Sequence, residues 1–480
     1  MKTTTQFIFV LAIAYTLLLW SGGCRKNPVI NDPTASLTFS TDTLTFDTVF
    51  TSIGSATRLF KVFNPYKQAI IISNMDLAGG NSSAFRMNVD GIAGIHFNNI
   101  QIAPEDSLYV FVEVTVDPNS LNTPFVISDS ILFMTNGNQQ KVKLLAYGQN
   151  AHFYNGVEIC NETWTNDKPY VMLGTVMVDT GCSLNIEQGV KVYMHGGAHF
   201  LVAGTLNING TPDSVVSFEG DRLEHFFDDL AGQWGSIIIL RGSTGSVLQN
   251  LRISEATSGI VAGSSFSNDL ADFTLANKPD ITLSKVLIKN CRDYGVFSFL
   301  ADVDMENCLI YGCGENDLAL LYGGIHNIRQ STLANFGVLG LEHKVPVLLL
   351  SNYAVQNQIP WLADVNANFT NDIFYGSLQL GTEPEDGEIS IDTITFSGNT
   401  VQYLFDHCLV KTNLNTSTAA WQSILKNQDP LFVDATDKED FSPSDGSPLI
   451  NAGTAIGISD DFFGQARIAL PDIGAIEKTP

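Results

Sequence analysis

The chain reads as an all-β protein in two parts, an antiparallel β-sandwich followed by a parallel β-helix solenoid. Three observations predict this. Residues 36–150 consist of short runs that alternate apolar and polar residues between turn formers. After about residue 160 the runs shorten, end in glycine or a small polar residue, and lack two-residue hairpin turns. Later segments then align in one apolar column at intervals that no 3.6-residue period explains.

Composition bounds the function. With 480 residues, 44% hydrophobic and 16% charged, the chain is long and apolar enough for two or three domains with large cores. Its 25 Lys and Arg face 50 Asp and Glu, a formal charge of -25, which opposes phosphate backbones and excludes nucleic acid as an expected partner. The same charge repels acidic polysaccharides unless a local basic groove or a bound divalent cation reverses it, and it favours solubility.

At the start, Lys2, an apolar run from Phe7 to Trp20 and then SGGC make a secretory signal too short for a comfortable membrane span. Ser21, Gly22, Gly23 and Cys24 resemble the lipobox of bacterial lipoproteins, which implies cleavage before Cys24 and acylation of that cysteine. An uncleaved signal anchor is the alternative. Residues 1–24 are thus expected to be a signal and 25–35 a polar tether. The expected location is the cell envelope, anchored in a lipid membrane through Cys24, with the outer membrane favoured. In surface lipoproteins of Bacteroidota acidic residues often follow that cysteine. Arg25, Lys26 and Asn27 follow it here, so the membrane face stays open. Export permits disulfides among the other six cysteines, in pairings that sequence does not fix.

The sandwich, residues 36–150, rests on runs such as TLTFDTVF, TRLFKVFN, SLYVFVEVTVDP and KVKLLAYG, about seven in all. FNPYKQAIIISNM, IAPEDSLYVFVEV, ISDSILFMTN and LLAYGQ resemble immunoglobulin-like modules related to abnormal-spindle and hydin domains, which implies a spacing, presenting or binding role. Asp-Ser or Asp-Thr before an apolar residue, as at Asp42, Asp47, Asp106, Asp129, Asp213 and Asp392, resembles an O-glycosylation signal of Bacteroidota; it also simply begins strands.

The β-helix, residues 160–480, rests first on the column. LRISEA, VLIKNC, CLIYGC, STLANF, DIFYGS and CLVKTN place Ile253, Ile288, Ile310, Leu333, Phe374 and Val410 in one position. Intervals of 22 and 23 residues suit one coil, and the longer ones imply loop insertions or an intervening coil. GTLNINGTPDSVVSFEG, WGSIIIL and the ending DPLFVD, DFSPSDGSPLINAGT, FGQARIALPDIGAIE resemble right-handed parallel β-helix proteins of bacteria, some pectate-lyase-like. The ending is expected to cap the last coil, with Arg467, Asp472 and Glu477 as a structural ion cluster.

Candidate chemistry is sparse. Asp302 and Asp304 in ADVDMENCLIYGC flank inward Val303 and share one outer face, whereas Glu306 falls at a bend. Calcium is possible there, but Ca²⁺ takes six to eight oxygens, and the neighbours of Asp304 above and below, Thr282 and Asn327, supply few. Cys291 and Cys313 occupy one position a coil apart, so a disulfide and a stack of buried thiols both fit. Beside the apolar column runs another: Ser254, Lys289, Tyr311, Ala334, Tyr375 and Lys411. Facing outward, Tyr311 and Tyr375 would stack sugar rings. A lyase needs a basic residue beside the sugar and a group neutralising the uronate, and Lys289, Arg292 and Lys411 are the candidates. Asp228 and Asp229 are adjacent, hence opposed on any regular strand, and the Gly-Gly setting of His195 and His199 argues against zinc. GxSxG, HExxH and GxxxxGK[ST] are absent.

These features predict an envelope lipoprotein whose β-helix binds glycan or serves as a structural surface element. A polysaccharide lyase, ahead of a glycoside hydrolase, and an adhesin are the alternatives.

Overall fold

The computed structural model describes residues 28–478 except 52, 53, 120, 121, 123, 265–269, 271, 272, 274, 339, 384, 385, 396, 397 and 469. Cys24 and the leader lie outside the described residues. The chain divides between Asn150 and Ala151 into two compact units.

The first unit is a sandwich of two five-stranded sheets. Its strands are β1 (Thr38–Phe39), β2 (Thr43–Phe50), β3 (Arg58–Phe63), β4 (Ile70–Leu77), β5 (Phe85–Val89), β6 (Ile92–Gly94), β7 (His96–Ile102), β8 (Ser107–Val114), β9 (Phe125–Thr135) and β10 (Asn138–Gln149). One sheet runs β1-β3-β8-β5-β6 and the other β2-β10-β9-β4-β7. Alternation decides which side is core: in β8, Leu108, Val110, Val112 and Val114 are buried while Tyr109 and Glu113 face out. Phe46, Phe60, Phe85 and Phe133 fill the space between the sheets. One pairing departs from the antiparallel expectation, because β2 runs parallel to β10.

The second unit is a parallel β-helix. Successive strands lay down three sheets in rotation, of eleven, nine and ten strands among the described residues, here called sheets I, II and III. One coil shows the pattern: Leu309–Tyr311 enters sheet I, Leu318–Leu321 sheet II, Gly324–Arg329 sheet III, and Thr332–Asn335 returns to sheet I. The aligned column is a continuous stack of paired residues, Ile253, Ile288, Ile310, Leu333, Phe374 and Val410. Each is a direct neighbour of the next, so the long intervals are loop insertions and not hidden coils.

The expected bend lies between sheets III and I. Asn250, Lys285, Asn307, Gln330, Asn371 and His407 all take left-handed φ values of 47–60°. Asparagine tolerates that conformation better than most L-residues. The exceptions are held by their side chains: Lys285 pairs with Asp460, His407 with Asp406, and Gln330 donates to the Asp472 carbonyl.

Inside the coil the apolar core is continuous, with aromatic clusters at both ends. Tyr154, Trp164 and Tyr170 gather in the first coils, and Phe369, Phe405 and Trp421 stack at 4.4 and 4.2 Å in the last. Cys160 and Cys182 form a disulfide between neighbouring coils, with Cα atoms 4.8 Å apart. Cys291, Cys308, Cys313 and Cys408 are buried thiols.

The C-terminal segment does not simply close the last coil. It lies along the outer side of sheet I, because that side is apolar where a solvated face would be polar. Leu287, Leu309, Thr332, Ile373 and Leu409 form one outward row. Phe441, Leu449, Ile473, Ala475 and Ile476 cover it as a second core layer. Polar clamps fix the layer. Asn371 exchanges two hydrogen bonds of 2.8 Å with the Thr454 backbone, and buried Arg467 pairs with Glu477 at 3.0 Å.

Candidate functional site

At one edge of this covering the outer face of sheet I opens into a cleft of about 310 Å³. Its lining includes Asp228, Asp229, Asn290, Tyr311, Phe336 and Glu439. Three sequence-distant pieces build it. Strand positions supply Lys289 and Tyr311, paired on adjoining coils. The loop after the short 3₁₀ turn His225–Phe227 supplies Asp228 and Asp229, and the covering segment supplies Glu439 and Phe441.

Lys289 is the hub. It points outward but is only 4% exposed, and its Nζ lies 2.7 Å from Asp229 Oδ1 and 2.8 Å from Glu439 Oε2. Removing this ammonium from water without partners would be severely unfavourable, and the two carboxylates compensate it. Tyr311 donates its hydroxyl to Glu439 Oε2 at 2.8 Å, and burial beside that carboxylate pushes the phenol well up. Asn290 donates Nδ2 to Asp229 Oδ1 at 2.9 Å. Asp229, itself at φ 61°, is fixed from behind, since its backbone N–H donates to Glu255 Oε1 at 3.1 Å. Burial pushes the Glu255 carboxyl up to about 6. Gly312 takes φ 68°, and a Cβ there would lie 2.8 Å from Asn290 Oδ1, so glycine keeps this part of the cleft open.

In the cleft lining Asn290 Oδ1 is buried without a partner, and on the adjoining coil, outside that lining, Ser254 Oγ and Arg252 Nε are too. Asn290 and Ser254 are each 1% exposed. Ser254 sits next to Lys289 in register, and Arg252 lies two residues before it on the same strand, with its charge acting on Tyr311. Buried polar atoms are normally satisfied, so Asn290 Oδ1 marks a point in the cleft where water or a ligand completes the bonding. The carboxylates of Asp229 and Glu439 remain partly exposed, with hydrogen-bonding capacity toward the cleft.

Of the residues singled out from sequence, Lys289 and Tyr311 meet here. The others do not. Arg292 pairs with neighbouring Asp293. Tyr375 packs on Phe336 with Lys411 over its ring at 5.1 Å, and Lys411 donates to the Gly376 carbonyl. Lys411 stands four coils from Lys289, about 19 Å at the usual strand spacing. The proposed open strip is therefore roofed at Tyr311 by the covering segment.

Asp302 and Asp304 lie on the outer face of sheet III, in register with Asp280 and Thr282 on one side and, at Asp304, with Asn327 on the other. Asp302 pairs with Lys278 at 2.6 Å, and Asp304 with Arg329 at 2.5 Å. Each of the two carboxylates is thus already engaged by a side-chain cation. Among the described residues, no three His, Cys, Asp or Glu converge as metal ligands. His195 pairs with Asp221, whereas His199 Nδ1 is buried without a partner.

Glu439 and Asn290 carry no sequence signal of a site, and the sequence argues against Asp229 as half of an adjacent pair. The only local signal was FFDDLAG, in which the paired aspartates are opposed on a strand but not in the turn they adopt. A larger hollow, about 620 Å³, lies on the sandwich beside Arg86, Asn88, Phe111 and Glu113. There the Arg86 guanidinium already donates to the Ser83 and Phe85 carbonyls.

No family model matches the chain, and no curated protein matches it. Among solved structures it is similar to PapD-like domain 7 of human CEP192, at 10% identity and TM-score 0.18, over 27% of this chain and 94% of that one. It is also similar to a family 123 glycoside hydrolase from Clostridium perfringens, at 7% identity and TM-score 0.18, over 27% of this chain and 30% of that one. Neither likeness is close enough to carry an argument about function.

Proposed function

We propose that the protein is an envelope lipoprotein, tethered through Cys24, whose β-helix binds a glycan in the cleft around Lys289. The observation that carries this reading is the meeting in one cleft of buried, unpartnered Asn290 Oδ1 with the partly exposed carboxylates of Asp229 and Glu439. Such a set of acceptors favours a ligand that donates hydrogen bonds at several points, as sugar hydroxyls do. Tyr311, Phe336 and Phe441 add apolar wall for the carbon faces of a ring. Three carboxylates at the cleft disfavour a phosphate or strongly acidic ligand.

Hydrolysis is the second reading. Asp229 and Glu439 both touch one nitrogen, which holds the contacting oxygens no farther apart than the ~5.5 Å separation of retaining glycosidases. A lyase is less favoured, since Lys289, Arg292 and Lys411 are dispersed and each is already engaged.

The test is to incubate the full chain with a panel of neutral and uronate-containing polysaccharides. Retention on an affinity gel, reducing ends and absorbance of unsaturated products are all followed. Retention of a neutral glycan without cleavage is the expected result. New reducing ends that disappear in Glu439→Gln would replace binding with hydrolysis. Neither retention nor cleavage would overturn both readings.

A further inference from the structure

We propose that Cys291 and Cys313 become a second disulfide between neighbouring coils when the chain folds in an oxidising compartment. Lys289 pairs with Tyr311 in sheet I, and each cysteine lies two residues beyond. The backbones stay in register through them: Asn290 and Gly312 both take left-handed φ values, and the Gly314 N–H donates to the Cys291 carbonyl at 3.0 Å. The two cysteines are 22 residues apart, the same separation as in the Cys160–Cys182 disulfide, whose Cα atoms are 4.8 Å apart. Stacked parallel strands impose a similar spacing, within the range a disulfide spans.

Both thiols are at least 98% buried. Their sulfur contacts to the Lys289 and Tyr311 carbonyls, at 3.7 and 3.9 Å, are long and weak. Cys308 and Cys408 occupy a different column, three coils apart, about 14 Å at the usual spacing and beyond disulfide reach.

The step is thiol–disulfide exchange. A thiolate of Cys291 or Cys313 attacks a disulfide of an oxidising dithiol protein, and the second thiolate resolves the mixed disulfide. Two protons and two electrons leave the cysteine pair, one S–S bond forms, and the oxidant departs as a dithiol. Because the pair is buried in the finished coil, exchange takes place during folding. The bond would pin together the two coils that place Lys289 and Tyr311 in the cleft.

The experiment uses the full chain secreted by a host with an oxidising periplasm. The protein is denatured in acid, alkylated without reduction, digested and mapped by mass spectrometry. The expected result is two linked peptides, Cys160 with Cys182 and Cys291 with Cys313, and alkylated Cys308 and Cys408. Linkage of Cys160–Cys182 alone, with Cys291 and Cys313 alkylated, would overturn the proposal, because it shows that oxidant was present and did not act. Alkylation of all six, or linkage of Cys291 or Cys313 to another cysteine, would overturn it as well.

Discussion

His326 shows how much one inward side chain decides. It is fully buried between Val303 and Ala367, and neither ring nitrogen makes a well-aligned hydrogen bond. Burial lowers its pKa to about 4, only partly offset by Asp302 and the Gly323 backbone, while nearby Lys278 lowers it further. The unfolded chain, with a value near 6.5, takes up the proton first as pH falls. This contribution to stability is therefore complete above about pH 6.5 and lost toward pH 4, by up to about 3 kcal/mol. His326→Leu should flatten that part of the pH–stability curve, as measured by denaturant unfolding between pH 7 and 4.5. An unchanged slope would mean that His326 does not stay neutral. The sequence marks this histidine only by its inward place in the alternation of GIHNIR, and nothing in that pattern reveals whether partners await it.

Elements were legible where they repeat. The column from Ile253 to Val410 could be read because each coil buries its inward residue against the coils above and below, which forces one residue class into one position. The bend could be read because alternation must slip there, at Asn307 and its equivalents. The covering segment was recognisable as an ending, but its resting place was not. That depends on the outward row of Leu287, Leu309, Ile373 and Leu409, whose meaning emerges only once inward and outward faces are assigned. Two predictions follow at this scale. Asn371→Ala removes both bonds to Thr454 and puts a Cβ-branchless but chiral residue at φ 60° without a side-chain hydrogen bond, a loss of about 2–4 kcal/mol in total. It should lower the thermal midpoint and hasten proteolysis within residues 429–478; an unchanged midpoint would show that the clamp is dispensable. Deleting residues 429–480 bares the outward row and should give an aggregating protein by light scattering. A monomeric, fully folded product would show that the second layer is ornamental to stability.

For the molecule as a whole, a solenoid scaffold brings together residues that no local motif connects. Asp229, Lys289 and Glu439 come from a loop, a strand and the covering segment, and their meeting is a consequence of coil stacking. This is why the scaffold could be read from sequence and the cleft could not. The charge of -25 and the carboxylates at the cleft agree in sign, and both point away from nucleic acid and acidic polymers. The central claim is that the cleft holds a neutral glycan through these groups. The most direct measurement is an equilibrium titration of the best-retained glycan against the full chain, Asp229→Asn, Asn290→Ala and Glu439→Gln. Asp302→Asn on sheet III serves as the control. Loss of hydrogen bonds to charged or buried groups predicts about 10- to 100-fold weaker binding for the three cleft variants, and unchanged binding for the control. Equal affinity in all four variants, with folding intact, would contradict the account.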